Sequence, residues 1–228
     1  MARIAPHRFR SAIASVAGFL LAILLLPSAA HAAAKAPLGG GSPLFTDSGF
    51  RCTAAFAATG GSTGYLIAGR SCGQPGETVY SGAHVLVGVI GPVQTPANGV
   101  LVVRVTNTTD WQLVPQVPTG SGGTITITGS AEAPVGASVC RAGRTTGWHC
   151  GTIVAKNQTV TFPEGTISGL TRTNVCAEPG DAGGPFISGS QAQGVLVGGS
   201  GNCSSGGVTY FKPINPILAA YGLTLLTG

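Results

Sequence analysis

The chain has 228 residues, 37 of them glycine, only 8% charged, with a formal net charge of +5. That length suffices for one domain with a real core, and so sparse a charge, with polarity carried by Ser, Thr, Asn and Gly, suits an exported β-protein rich in turns. Removing residues 1–32 would take three of the 12 Lys and Arg but none of the seven acids, leaving +2, so the basic balance argues for neither a nucleic-acid nor a membrane-surface partner.

Arg3, Arg8 and Arg10 precede an uncharged, mostly apolar run, Ser11 to Leu26, and Pro27 to Ala32 closes it with small residues in an A-x-A pattern. This is the three-part layout of a secretory signal peptide, residues 1–32, with cleavage expected after Ala32. The apolar run is short for the ~20 residues of a membrane span, so no span is expected once the segment is removed. Residues 33–48 are rich in Ala, Gly and Pro without an apolar period and are expected to form a flexible N-terminal tail.

From Gly49 onward short apolar runs alternate with Gly, Pro, Asn and Ser. Predicted strands are 51–58, 63–68, 84–90, 100–105, 124–128, 138–141, 149–155, 165–172, 185–188, 193–198 and 208–213. Thr124-Ile125-Thr126-Ile127-Thr128 alternates most plainly. Many short strands at even spacing predict an all-β barrel or sandwich. Only Asn215 to Tyr221 reads as helical, with Ile217, Leu218 and Tyr221 on one face.

Six cysteines in an exported chain predict a disulfide framework. Fifteen connectivities are possible; short spacing favours Cys52–Cys72, Cys140–Cys150 and Cys176–Cys203. No C-x-x-C occurs and only His149 adjoins a cysteine, so no metal site is expected.

Three segments carry a resemblance: Ser138-Val139-Cys140-Arg141-Ala142-Gly143 with Thr145-Thr146-Gly147-Trp148-His149-Cys150-Gly151-Thr152; Arg172 to Asp181, which runs on into Gly180-Asp181-Ala182-Gly183-Gly184-Pro185; and Gly198-Gly199-Ser200-Gly201-Asn202-Cys203. Together they resemble the bacterial chymotrypsin-like serine proteases of the streptogrisin and alpha-lytic group, over residues 49–228. The resemblance implies two six-stranded antiparallel β-barrels with a cleft between them, barrel one over about 49–115 and barrel two over about 116–213, then a short C-terminal helix over about 214–222. It matches the local cysteine pairing and implies a secreted, extracellular bacterial protein.

Peptide hydrolysis in that family uses a serine nucleophile, a histidine that takes its proton and an aspartate that orients the histidine. By resemblance the serine position is Ala182, whose methyl cannot form an acyl-enzyme. The histidine position falls on Arg70 or Ser71, in Ile67-Ala68-Gly69-Arg70-Ser71-Cys72, and neither is a base at neutral pH. The aspartate position falls on Gly99, ahead of Val100-Leu101-Val102-Val103-Arg104. Asp110 is the rival for that role, and its simpler reading is a turn residue bonding local backbone N–H groups. His84, expected on a barrel-one strand, and His149 read as structural. Ser71 and Ser200 are the serines expected near the cleft.

The backbone N–H groups of Gly180 and Ala182 are expected to form an oxyanion hole whatever side chain stands at 182. A buried bidentate ion pair, Arg141–Asp181, is expected to hold their loop in shape. Residues 194–201 and 176–180 should line a mainly apolar specificity pocket without an acid at its base. These losses predict a secreted, catalytically inactive homologue, not an enzyme, kept to bind an extended peptide, a protease inhibitor or a cell-envelope protein, monomeric and without cofactor. The alternative is an active secreted serine endopeptidase that uses substitute residues.

Overall fold

The computed structural model describes Met1, residues 34–94 and residues 98–228. The expected export segment, and its cleavage point, lie outside the described residues.

Where a tail was expected, the chain from Ala34 makes strands. Ala36–Leu38 (β1) runs parallel to Trp111–Leu113 (β8). Pro43–Thr46 (β2) is laid between Arg51–Gly60 (β3) and Thr78–Ser81 (β5). Leu38 and Leu44 are each only 1% exposed. Composition hid these strands because the partners that complete their ladders, and the core that covers Leu38 and Leu44, come from distant chain.

The first ring adds Thr63–Gly69 (β4), Leu86–Ile90 (β6) and Val100–Val105 (β7). Its order is β3-β2-β5-β6-β7-β4, and β3 pairs again with β4 to close it; Thr224–Leu225 (β17) adds onto β3. Leu44, Ala54, Leu66, Val87, Leu101 and Val103 fill the interior. The runs Leu66-Ile67-Ala68 and Val100 to Val103 are buried throughout, since one set of side chains faces this interior and the other faces the second barrel.

The second unit of sheet is a closed six-stranded barrel made of Ser138–Gly143 (β11), Gly147–Phe162 (β12), Gly165–Thr173 (β13), Pro185–Ser188 (β14), Gln191–Asn202 (β15) and Gly206–Pro213 (β16). Val139, Ile153, Leu196 and the stacked rings of Phe186 and Phe211, 4.8 Å apart, form its core. The hairpin of Gln116–Pro118 (β9) and Thr124–Thr126 (β10) precedes it, so the linking segment spans 114–137 and the barrel itself starts later than residue 116. Ile214–Tyr221 (α1) follows and ends at Gly222 in the left-handed conformation, which suits a residue without Cβ.

Phe56, Ile67, Val100 and Val102 from the first ring pack with Val117, Ile127, Val195, Ile214 and Ile217 in one continuous cluster. The cysteines pair as Cys52–Cys72, Cys140–Cys150 and Cys176–Cys203. Among the described residues no helix is long and apolar enough to cross a membrane.

Candidate functional site

The site is assembled where β4 ends and β7 begins. Gly69 and Val100 are directly opposite in the ladder, and the Arg70 N–H donates to Gly99 O at 3.0 Å as the chain turns into a short 3-10 turn, Arg70–Cys72. A Cβ on Gly69 would stand 2.9 Å from the Cα of Gly183, so only bare backbone lets the barrels approach here. Arg70, Ser71, Gly99 and Ala182 therefore line one cavity of about 220 Å³, together with Glu164 and Thr166 from the β12–β13 turn and start of β13. Sequence reading anticipated the first four; the cavity gave no sequence signal for Glu164.

The loop carrying Ala182 is held from both sides. Thr53, buried on β3, donates its backbone N–H to Ala182 O at 3.0 Å and its hydroxyl to Gly180 O at 3.0 Å, while accepting the Arg144 N–H at 3.0 Å. From barrel two, Arg141 Nη2 lies 3.1 Å from Asp181 Oδ2, both side chains fully buried. The pair is not bidentate. Arg141 Nε goes instead to Cys176 O at 2.6 Å. Asp181 Oδ1 accepts the N–H groups of Thr145 (2.9 Å) and Thr146 (3.1 Å), and Oδ2 accepts the Thr146 hydroxyl (2.6 Å) and the Glu178 N–H (3.0 Å). Burial pushes the Asp181 carboxyl up, but the bonds from Thr146 and Glu178, the Arg141 charge and the Thr145 N–H outweigh it and hold the pKa below the ordinary value.

This clamp turns Gly180 to a φ of +99° and leaves the N–H groups of Gly180 and Ala182 without an acceptor among the described residues. Two free N–H groups beside a cavity suit a developing oxyanion. The carbon at position 182 is a methyl and offers no attacking atom.

A second cavity, of about 330 Å³, shares Ala182 and is walled by Ala177, Pro179, Leu196, Gly198 and Gly199. Glu178, inside the 176–180 stretch expected to line the pocket, does line it, with its Oε1 accepting the Cys203 N–H at 3.2 Å.

The other expected residues lie elsewhere. His84 is in a turn at φ +58° rather than on a strand, its ring 5.4 Å from that of Phe45. His149 Nε2 is 3.0 Å from Thr146 O. Asp110 sits in a turn where Asn107 Nδ2 donates to its carboxylate at 2.8 Å, a side-chain rather than a backbone partner. Ser200 is exposed on β15. His149, Cys176 and Cys203 come within 4.8 Å of one another, but the two sulfurs are bonded to each other and so are not thiolate ligands.

The trypsin family profile matches residues 92–220. Streptogrisin-C of Streptomyces griseus is 50% identical over 202 residues, covering 88% of this chain and 44% of that protein. The chain thus spans less than half the length of this relative. Among solved structures, Thermobifida fusca protease A is 47% identical with a TM-score of 0.77, covering 85% of this chain and all of that one. The Cellulomonas bogoriensis chymotrypsin is 46% identical with a TM-score of 0.76, again covering 85% and 100%. Relatives this similar that bear the names protease and chymotrypsin point to an enzyme, and they overturn the expectation that the chain is not one. A two-ring β-fold with a cleft at their junction, the family profile and these identities agree: the chain belongs to the trypsin-like serine protease family, among the homologues of the streptogrisins.

Proposed function

We propose that the chain is a secreted serine-type endopeptidase that takes an extended polypeptide across the cleft between the barrels and works with substitute catalytic groups. The observation that carries this reading is the shared cavity of Ser71 and Ala182, next to two N–H groups that have no acceptor among the described residues. The names of the relatives support peptide-bond hydrolysis as the reaction class. Three disulfides and the export-like first 32 residues support secretion.

The attacking oxygen has to come from a side chain other than that of residue 182. Ser71 is exposed, lines the cavity and approaches from the barrel-one side. Among the described residues no histidine lines this cavity; Glu164 is its one carboxylate and is assigned as proton acceptor. A carboxylate is a weaker base than imidazole towards a hydroxyl, so turnover is slow. The Gly180 and Ala182 N–H groups supply the oxyanion contacts, which with substrate binding are worth roughly 10³–10⁴ over water in such enzymes. The second cavity, beside Ala182, takes the side chain that precedes the cleaved bond. A protease inhibitor would enter the same cleft.

The test is a fluorophosphonate probe on the folded, purified chain, followed by peptide mapping. Label on the peptide that contains Ser71, absent from Ser71→Ala, is expected. An unlabelled wild type that also leaves an unfolded protein substrate intact would sink the proposal and leave peptide binding alone as the task of the cleft.

A further inference from the structure

Lys212, near the end of β16, is only 7% exposed, yet no carboxylate lies within ion-pairing distance of it among the described residues. Its one hydrogen-bond partner there is Ser168 O, which Nζ reaches at 2.8 Å. An ammonium taken out of water without a counter-charge is costly, and burial accordingly lowers its pKa. The head of this side chain carries three donors and one carbonyl occupies one of them.

Lys212 lines a cavity of about 350 Å³ on barrel two, separate from the lining of the cleft cavities. Its wall includes Ser130, Asn157 and the first turn of α1 from Pro213 to Pro216. Among the described residues no side chain caps that helix end, no acidic residue stands in its first turn, and Pro216 has no N–H to offer. Glu132 also lines the cavity, with its carboxylate paired to Lys156 Nζ at 2.6 Å. Asn215 Nδ2 donates to Ser130 O at 3.0 Å and joins the two sides of the wall.

We infer that this cavity is a binding site for a phosphoryl group, held by the Lys212 ammonium and the N-terminal end of α1. A compact point charge with rotatable donors suits a tetrahedral oxyanion, whereas planar carboxylates are matched better by the forked guanidinium of arginine. The helix end contributes partial positive charge on the same side. The group could arrive as the free ion or on a phosphate ester, and the chemistry of the site is the same for both. This inference is independent of the cleft and of hydrolysis there.

The experiment is titration calorimetry at matched ionic strength with inorganic phosphate, O-phosphoserine and acetate. Saturable one-to-one binding of at least one phosphoryl ligand is expected, with acetate at least tenfold weaker; the tighter of the two phosphoryl ligands identifies the source. Lys212→Met is expected to weaken binding at least tenfold. Asn157→Asp, at an exposed wall residue whose side chain has no hydrogen bond among the described residues, adds a negative charge to the cavity and is expected to weaken it by a similar factor, so a poorly folding Lys212→Met still leaves a test. No binding by either phosphoryl ligand, equal binding of acetate, or unchanged affinity in a folded variant would overturn the inference.

Discussion

Thr53 on one barrel donates its backbone N–H to the carbonyl of Ala182 on the other at 3.0 Å, and its hydroxyl bridges Gly180 O and the Arg144 N–H of the same opposing surface. One buried threonine therefore fixes the position of the oxyanion loop relative to Arg70 and Ser71. Thr53→Val keeps the shape and the backbone bond but strands a carbonyl and an N–H. A loss of about 1–3 kcal/mol is expected, the usual cost of leaving buried polar groups unpaired. Guanidinium unfolding measures it, and an unchanged midpoint would mean that water or another group takes over both contacts.

The Arg141–Asp181 pair predicts an asymmetric response. Removing one partner of a buried pair costs about 3–5 kcal/mol. In Arg141→Ala the carboxylate keeps four donors, from Thr145, Thr146 (two) and Glu178, so the loss should lie at the lower end. In Asp181→Ala those four donors lose their acceptor and the buried guanidinium, still bonded to Cys176 O, loses its counter-charge, so the loss should be larger. Equal unfolding midpoints for the two variants would show that the carboxylate does not organise the loop.

Asp181 also sets a pH dependence. Its folded pKa lies below that of an unfolded aspartate, about 3.9. The charged form is therefore favoured by folding, and the contribution is complete above about pH 4 and is lost as pH falls below it towards the folded value. The stability gap between the wild type and Asp181→Asn should be full at pH 7 and narrow progressively as the pH is lowered below 4. A constant gap across that range would mean the group does not titrate differently on folding.

Residues with a local signature were legible before the fold was. Val100–Val105 and Pro185–Ser188 fall where apolar runs between turn residues placed them, because strands buried on both faces need such runs. Pro43–Thr46 and Thr78–Ser81 went unseen because each is short and is stabilised by a partner far away in sequence. Position also limited the reading of the site. Arg70, Gly99 and Ala182 stand in recognisable surroundings, whereas Thr53 is an ordinary strand threonine whose role comes only from the second barrel facing it. Glu164 reaches its cavity through the β12–β13 turn, which no spacing rule encodes.

Gly99 and Ala182 bear on whether the familiar machinery could be reinstated. Gly99 has φ +90°, and a Cβ there would sit 2.8 Å from Ile167 Cδ1. Gly99→Asp therefore forces a branched residue into a conformation that favours glycine and should cost about 1–3 kcal/mol, with Ile167 shifting to make room. Ala182→Ser is milder, since it adds one oxygen towards an open cavity. Among the described residues that oxygen would still lack a strong base, because His84 lies beside Phe45 and His149 faces Thr146 O. Peptide turnover by Ala182→Ser is expected to stay within tenfold of the wild type. A thousandfold gain would mean that an imidazole reaches residue 182 in solution, and it would remove the reason for assigning the attack to Ser71.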